Sequence, residues 1–240
     1  MTAALSTTPL PARRPKPLAV QTSVLVPCIG KHVDLLPDLL RHLAGQTCRP
    51  DEVVISVSSC PALPPAIDRA VRASAIPTRV LVNAGTAYAG RNRNCAADAS
   101  KGDVLIYQDA DDLPHPQRVE LVRRAFAEYF ITHLIHYYTH ATKPASWYGP
   151  GVAGSLSDRY DDRRFRGALQ HQPQYVYSLR IHNGNIATSR AVFNVARWDE
   201  TMRRAQDFAY NKVVYNRFKR NVVLSLPLIH YRQHLSSETR

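Results

Sequence analysis

Apolar positions in the first half of the chain fall into short β-branched runs separated by stretches with helical spacing. Thr22–Pro27 (TSVLVP), Glu52–Val57 (EVVISV), Thr78–Val82 (TRVLV) and Asp103–Tyr107 read as strands. Val33–Gly45 places Leu35, Leu36, Leu39, Leu40 and Leu43 on one helical stripe and stops at Gly45. Pro65–Ser74, Ala87–Ser100 and Gln117–Tyr129 are the next predicted helices. Strands alternating with helices across short links predict an α/β fold. Its mostly parallel central sheet has right-handed crossovers and helices on both faces.

The pattern changes after Tyr129. Ile131–Tyr138 reads as a strand, and Thr139–His171 is irregular, with Pro144, Gly149, Pro150, Gly151 and Gly154. A long irregular stretch in a compact domain is either a functional loop or disordered. Gln174–Leu179 and Gly184–Thr188 read as short strands, Arg203–Arg217 as a helix, and Asn221–Leu226 and Leu228–Arg232 as two more strands. This predicts a small mixed C-terminal portion. No internal repeat is visible.

Composition narrows the class. At 240 residues the chain can bury one full α/β core. Its 31 basic and 19 acidic residues give a net charge of +12. That favours anionic partners: nucleotide phosphates, nucleic acid or an anionic membrane surface, although ordinary solubility explains it as well. Cys28, Cys48, Cys60 and Cys95 form no C-x-x-C pair, which removes the common zinc and thioredoxin-type motifs. Cys28 and Cys95 read as small core hydrophobes, consistent with a reducing compartment. No apolar run reaches membrane-span length, and no signal-peptide apolar region opens the chain, so the expected location is cytoplasmic. Residues 1–19 read as a disordered basic tail, or alternatively a transit peptide, ahead of a single domain over 20–240.

Lys101–Pro116 (KGDVLIYQDADDLPHP) carries the clearest chemistry. The inner-strand run Val104–Tyr107 ends in Asp109, Asp111 and Asp112. Carboxylates at the carboxyl end of such a strand sit at the ligand crevice of an open α/β sheet. They repel one another unless a cation neutralises them, and aspartate oxygens suit a hard divalent ion that also touches a substrate phosphate. The competing reading is a solvated acidic turn in which Asp112 caps a helix near Pro114.

Two nucleotide motifs fail. G-x-G-x-x-G is absent after the first strand. Gly85–Asn92 approaches a phosphate loop but lacks its lysine and hydroxyl. The stretch either presents Arg91 and Asn92 to anionic ligand groups at a helix start or leaves Arg91 as a surface residue.

The ordered motifs resemble the family-2 branch of GT-A-fold glycosyltransferases. The resemblance rests on a first strand ending in Pro27, the Gln46-Thr47 step, Asn83 and Gly85 with Arg91-Asn92, the Asp109-x-Asp111-Asp112 strand end, Gln206-Asp207 where the family has Glu-Asp, and Tyr231-Arg232-Gln233-His234. It covers roughly residues 20–236. It implies a Rossmann-like GT-A fold with a donor half at 20–116 and an acceptor half at 117–240. The implied activity is that of an inverting, hexosyltransferase-type enzyme using a nucleoside-diphosphate sugar and Mn²⁺ or Mg²⁺. Carried over residue by residue, Pro27, Asn83, Arg91, Asp109, Asn183, Gly184 and Arg232 are expected to bind the donor. Asp111, His234 and Asp109 are expected at the metal, and Asp207 is expected to be the general base. The implied chemistry is attack by an acceptor hydroxyl through an oxocarbenium-like transition state.

Two departures stand out. The acidic pair that usually ends the second strand is Ser58-Ser59 here, so the nucleotide base is left open. Gln206 replaces an acidic residue beside Asp207, which removes a like charge. Alternatives stay open at single positions: Asp207 as a helix-dipole residue, Arg232 as a surface charge, His234 as a solvated terminal side chain. His133 and His136 point to opposite faces of a strand, which argues against a zinc site with His140. Trp147, Tyr148, Tyr175 and Tyr177 either stack on acceptor sugars or pack the core. His182–Asn185 suits hydroxyl recognition. The acceptor, whether carbohydrate, lipid-linked or protein, is not specified, and peripheral membrane contact is compatible with the charge. The competing functions are a non-catalytic nucleotide-sugar binder of the same fold and a basic nucleic-acid module, the latter disfavoured by the aspartate cluster.

Overall fold

A computed structural model of the chain describes residues 10–140, 159–173 and 183–232. The first half comprises β1 (Thr22–Ile29), α1 (Leu36–Ala44), β2 (Glu52–Ser58), α2 (Pro65–Arg72), β3 (Thr78–Val82), α3 (Ala89–Ala99) and β4 (Val104–Tyr107). The second comprises β5 (Leu113–Pro114), α4 (Arg118–Glu128), β6 (His133–His140), α5 (Asp162–Ala168), β7 (Leu169–His171), β8 (Ile186–Ser189), α6 (Arg190–Val195), α7 (Gln206–Arg217) and β9 (Asn221–Tyr231).

The described strands form one sheet in the order β3-β2-β1-β4-β8-β6-β9-β5, with β7 also beside β9. The β3-β2-β1-β4 portion is parallel throughout. Beyond β4 the sheet is mixed: β8 runs antiparallel to β4 and β6, and β6 runs parallel to β9. The α/β architecture expected from the alternation is therefore present, with its parallel part in the first half.

Strand alternation divides the apolar residues between the two faces. Val24, Val26, Val53, Ile55, Val104 and Ile106 pack with Leu36, Leu39 and Leu43 of α1 and Val119 and Val122 of α4. Leu25, Val54, Leu105 and Tyr107 pack on the opposite face with Ala96 and Ala97 of α3, Phe193 of α6 and Val214 of α7. Burial on both faces explains why these strands read as continuous apolar runs.

Pro27 marks where β1 outlasts its neighbour. Leu25 is the last β1 residue paired with β4, opposite Tyr107, and its carbonyl accepts from the Gln108 N–H at 2.9 Å. Two residues on, the ring nitrogen of Pro27 faces the same side, past the end of β4. No ladder hydrogen bond is lost on this side.

Several sequence expectations need correction. Residues 10–18, expected within a disordered tail, lie along the end of α4. The Phe130 N–H donates to Ala12 O, and the Arg14 guanidinium stacks 4.3 Å from the Phe130 ring centroid. The two strands expected around Pro227 are the single strand β9. Register shifts between His136 and Tyr138 of β6 absorb the proline. The irregular stretch contains α5 and β7, and α6 was missed. Both helices are short but capped: Asp161 accepts from Arg164 N, and Ser189 from Val192 N. The last helix starts at Gln206 rather than Arg203, after a left-handed Ala205 (φ 55°). Cys28 is buried as expected, whereas Cys95 is half-buried. The expected strand at 174–179 and the aromatics Trp147, Tyr148, Tyr175 and Tyr177 lie outside the described residues.

Candidate functional site

The chain moves outward from β1 through β2 to β3, then returns to β4 on the other side of β1. The gap between the carboxyl ends of β1 and β4 is thus a topological switch point, where α/β sheets bind ligands. Pro27 lines one side and Gln108–Asp112 forms the other.

The three aspartates occupy different environments. Asp112 is fully buried, and its Oδ1 accepts from the Arg232 N–H at 3.1 Å. Burial, then the neighbouring charges of Asp109 and Asp111, hold its carboxyl well above the usual range. The alternative of Asp112 as a helix cap is not met, because α4 begins only at Arg118. Asp111 is half-buried, and its carbonyl accepts from Arg232 Nε at 2.5 Å. Arg232 also reaches Asp38 of α1 at 3.4 Å. Arg232 therefore holds the aspartate loop in place through both its backbone and its guanidinium.

A second arginine lies beneath the loop. Arg118 is fully buried and hydrogen-bonds neutral acceptors: Gln108 Oε1, Tyr107 O and Gly184 O at 2.6 Å, and His136 Nε2 at 3.0 Å. Burial lowers its pKa to about 9, against the opposing charges of Asp109 and Asp112. Accepting at Nε2 assigns the neutral Nδ1–H tautomer to His136, whose Nδ1 donates to Tyr137 O at 2.8 Å. Burial and the Arg118 charge push His136 well below the ordinary histidine range. Asn185 Nδ2 donates to His136 O at 2.6 Å. These bonds draw the Asn183–Asn185 turn against the aspartate loop. The side chain of Asn183 lies outside the described residues.

On the other face, Arg93 of α3 is 2% exposed and Asp109 14% exposed, with 2.7 Å between Arg93 Nη2 and Asp109 Oδ1. Arg93 Nη1 donates to Gln206 Oε1 at 2.9 Å. The guanidinium lies 4.7 Å from the Trp198 ring centroid. Gly90 lets α3 approach this segment, because a Cβ there would collide with the Asp199 carbonyl. Gln206 is the first residue of α7, and Asp207 follows it, half-buried. Asp207 Oδ1 accepts from the Phe208 N–H at 2.8 Å. Asn211 Nδ2 donates to Asp207 O at 2.6 Å, and Asn211 Oδ1 lies 2.7 Å from His133 Nε2.

The remaining expected residues separate into two groups. Arg91 is exposed on the first turn of α3. Asn92 is structural: it donates to Cys28 O and Ser58 Oγ and so ties β1 to β2. Asn83 is exposed, and its Oδ1 accepts from Gly85 N at 2.9 Å. Ser58 is buried and donates to Ala87 O, while Ser59 takes a left-handed φ of 53°. His133 and His136 do face opposite sides of β6, toward Asn211 and Arg118 respectively. His234 and His182 lie outside the described residues. Among the described residues no cluster of three or more His, Cys, Asp or Glu is placed to hold a metal ion.

Sequence reasoning missed Arg93 and Arg118. A signal existed for Arg93, which shares one helical face with Ala96 and Ala97, both fully buried. An arginine on a buried stripe needs an acidic partner.

The family model described as glycosyl transferase family 2 matches residues 23–186. No curated protein matches the chain. Among solved structures, S. aureus TarS 1–349 in complex with UDP superposes with a TM-score of 0.64 at 18% identity, over 88% of this chain and 60% of that one. The same protein in complex with UDP-GlcNAc gives 0.64 at 18% identity, over 92% and 62%. The mannosyltransferase PcManGT from Pyrobaculum calidifontis, in complex with GDP-Man and Mn²⁺, gives 0.61 at 16% identity, over 96% and 61%. The chain thus spans about three fifths of the length of these structures.

Proposed function

The chain belongs to glycosyl transferase family 2, and from that premise we propose that it moves a sugar from a nucleoside-diphosphate sugar to an acceptor hydroxyl, with inversion at the anomeric carbon. The observation that carries this reading is the single guanidinium of Arg93, which joins Asp109 at the switch point to Gln206, the residue before Asp207. A donor-side carboxylate is thus hydrogen-bonded, through one guanidinium, to the residue that precedes the candidate base in sequence.

In this reading Pro27, Asn83, Arg91, Asp109, Asn183, Gly184 and Arg232 surround the donor. Asp111 and Asp109, with His234, would hold Mn²⁺ or Mg²⁺. The carboxylate set suits such an ion: three aspartates share one loop, and Asp112 is raised first by burial and then by the charges of Asp109 and Asp111. Small hard cations need only one or two protein carboxylates when substrate phosphates complete the shell. When bound, the ion offsets the charge that develops on the leaving diphosphate. Asp207 accepts the proton of the acceptor hydroxyl, which attacks the anomeric carbon from the face opposite the leaving group. The nucleotide complexes of the similar structures support a nucleotide-sugar donor. Ser58-Ser59 in place of an acidic pair offers no carboxylate to the nucleotide base.

The net charge of +12 supports an acceptor or surface that is anionic. No helix among the described residues is long and apolar enough to cross a membrane. A cytoplasmic enzyme with peripheral membrane contact fits both statements.

The test is a thermal-shift panel of nucleoside diphosphates and their sugars, with and without Mn²⁺. Ligands that bind the folded state raise Tm by mass action. The reading expects one nucleotide to act only together with metal, and expects the shift to vanish in Asp111→Ala. A panel with no shift removes the donor. Proton NMR of the product then reports inversion or retention.

A further inference from the structure

We infer that Arg93 is a positioning residue that couples Asp109 to the first turn of α7, so that a ligand engaging Asp109 also sets the position of Asp207. The inference rests on the donor and base assignments above and goes beyond them, because nothing in those assignments requires the two halves to communicate.

Burial comes first. The Arg93 guanidinium is almost fully enclosed, and an enclosed cation is tolerated only while it is paired. Its carboxylate partner is Asp109. A shift of that carboxylate toward a bound ligand therefore draws the guanidinium with it. The guanidinium is a rigid planar fork, so its two arms cannot move independently. The second arm holds Gln206 Oε1 at 2.9 Å.

Stacking reinforces the link. The guanidinium lies on Trp198, and the Trp198 ring stacks on Tyr210 of α7, with centroids 4.2 Å apart and planes 4° apart. Arg93 thus meets α7 at Gln206 and again, through Trp198, one turn later at Tyr210. The helix begins directly after the left-handed Ala205, a backbone conformation that non-glycine residues hold only under constraint, so the contacts of the first turn help to fix where it starts. The neutral amide at position 206 matters too. It accepts from Arg93 without competing for its charge, which leaves Asp109 as the counter-ion. The signal therefore runs from Asp109 to Arg93, then Gln206, then the turn that carries Asp207.

Hydrogen–deuterium exchange of the whole chain tests this without an activity assay. In the free protein, Asp109→Ala and Arg93→Met are each expected to speed exchange of the 206–211 amides several-fold. The β1 amides should stay protected, which shows that the variants are folded. The second arm adds UDP or GDP with Mn²⁺. In the wild type, the nucleotide that binds should slow exchange at both the aspartate loop and 206–211. In Arg93→Met the loop should still be protected and 206–211 should not, whereas a purely structural arginine would leave the two regions responding together. Unchanged 206–211 exchange in both free variants overturns the proposal, as does nucleotide-dependent protection of α7 that survives Arg93→Met. If neither nucleotide slows exchange anywhere in the wild type, the assigned donor fails, and the free-protein arm alone decides the coupling. If Arg93→Met does not fold, Asp109→Ala and Gln206→Leu carry the same comparison.

Discussion

A Cβ on Gly184 would stand 3.3 Å from the backbone nitrogen of Asp109 and 3.5 Å from its Oδ2. The turn before β8 therefore rests directly on the first aspartate of the loop, and its carbonyl is tied to Arg118 at 2.6 Å. No side chain fits between these two backbones without moving one of them. This contact joins the two halves of the chain at the point where a donor would enter.

Gly184→Ala is the gentlest disturbance of that contact. Its nearest neighbour is Ile229 Cδ1 at 3.2 Å, which can rotate away, so the fold should survive. The Asp109 backbone must yield by a few tenths of an ångström. Affinity for nucleotide with Mn²⁺ should drop about tenfold, ~1.4 kcal/mol. A calorimetric titration of the wild type and Gly184→Ala measures this, and equal affinities would separate Gly184 from the donor site.

Asp207→Asn removes the candidate base and keeps the shape. The Oδ1 acceptor for the Phe208 N–H remains, so α7 should start in the same place. General-base catalysis contributes on the order of 10²–10⁴ in rate. Transfer should fall by that order, with nucleotide affinity unchanged. Turnover at the wild-type rate would return Asp207 to the role of a helix-dipole residue.

The legible part of the fold was the part governed by apolar period. The parallel strands are buried on both faces, so Val53–Val57 and Val104–Tyr107 stood out as runs. The aspartates at the strand end followed from the same logic. What stayed hidden depends on partners distant in sequence. Arg93 and Arg91 look equivalent in a string of residues, yet only Arg93 turns inward, 16 positions from Asp109 and 113 from Gln206. Arg118 reads as an ordinary charge in the first turn of a helix until His136 and Gly184 are seen to close over it. A proline breaks a ladder in general, so Pro227 reads as a gap between two strands, and only the register shift on β6 shows how this ladder accommodates it.

The buried histidines predict an acid-sensitive fold. His133 is lowered from 6.5 to about 4 by burial, partly offset by its bond to Asn211. Between those values the unfolded chain binds a proton that the folded chain refuses, so stability falls as pH falls from about 6.5 to about 4. The full contribution is ~3 kcal/mol, at ~1.4 kcal/mol per pH unit. His136 acts in the same direction and Asp112 in the opposite one. His133→Gln can keep the donor to Asn211 while removing the titration. Urea unfolding at pH 7 and pH 4.5 should therefore show a smaller loss for His133→Gln than for the wild type. An identical loss would show that His133 does not contribute to the acid limb.

Asp111 and Asp112 are adjacent in sequence but should behave as opposites. Asp112 is fully buried, and its carboxyl is disfavoured as an anion by burial and by the charges of Asp109 and Asp111. Asp112→Asn keeps an oxygen to accept from the Arg232 N–H and removes the repulsion. The metal-free protein should melt at the same temperature or a few degrees higher, since ~1 kcal/mol moves Tm by roughly 2–4 °C in a chain of this size. Nucleotide with Mn²⁺ should still raise Tm further. Asp111 is half-buried, and its backbone carbonyl accepts from Arg232 Nε. Asp111→Asn keeps that carbonyl contact and should abolish the Mn²⁺-dependent shift. If Asp112→Asn abolishes that shift instead, the ion sits deeper in the loop than the side-chain environments indicate, and the assignment of Asp111 as its ligand is wrong.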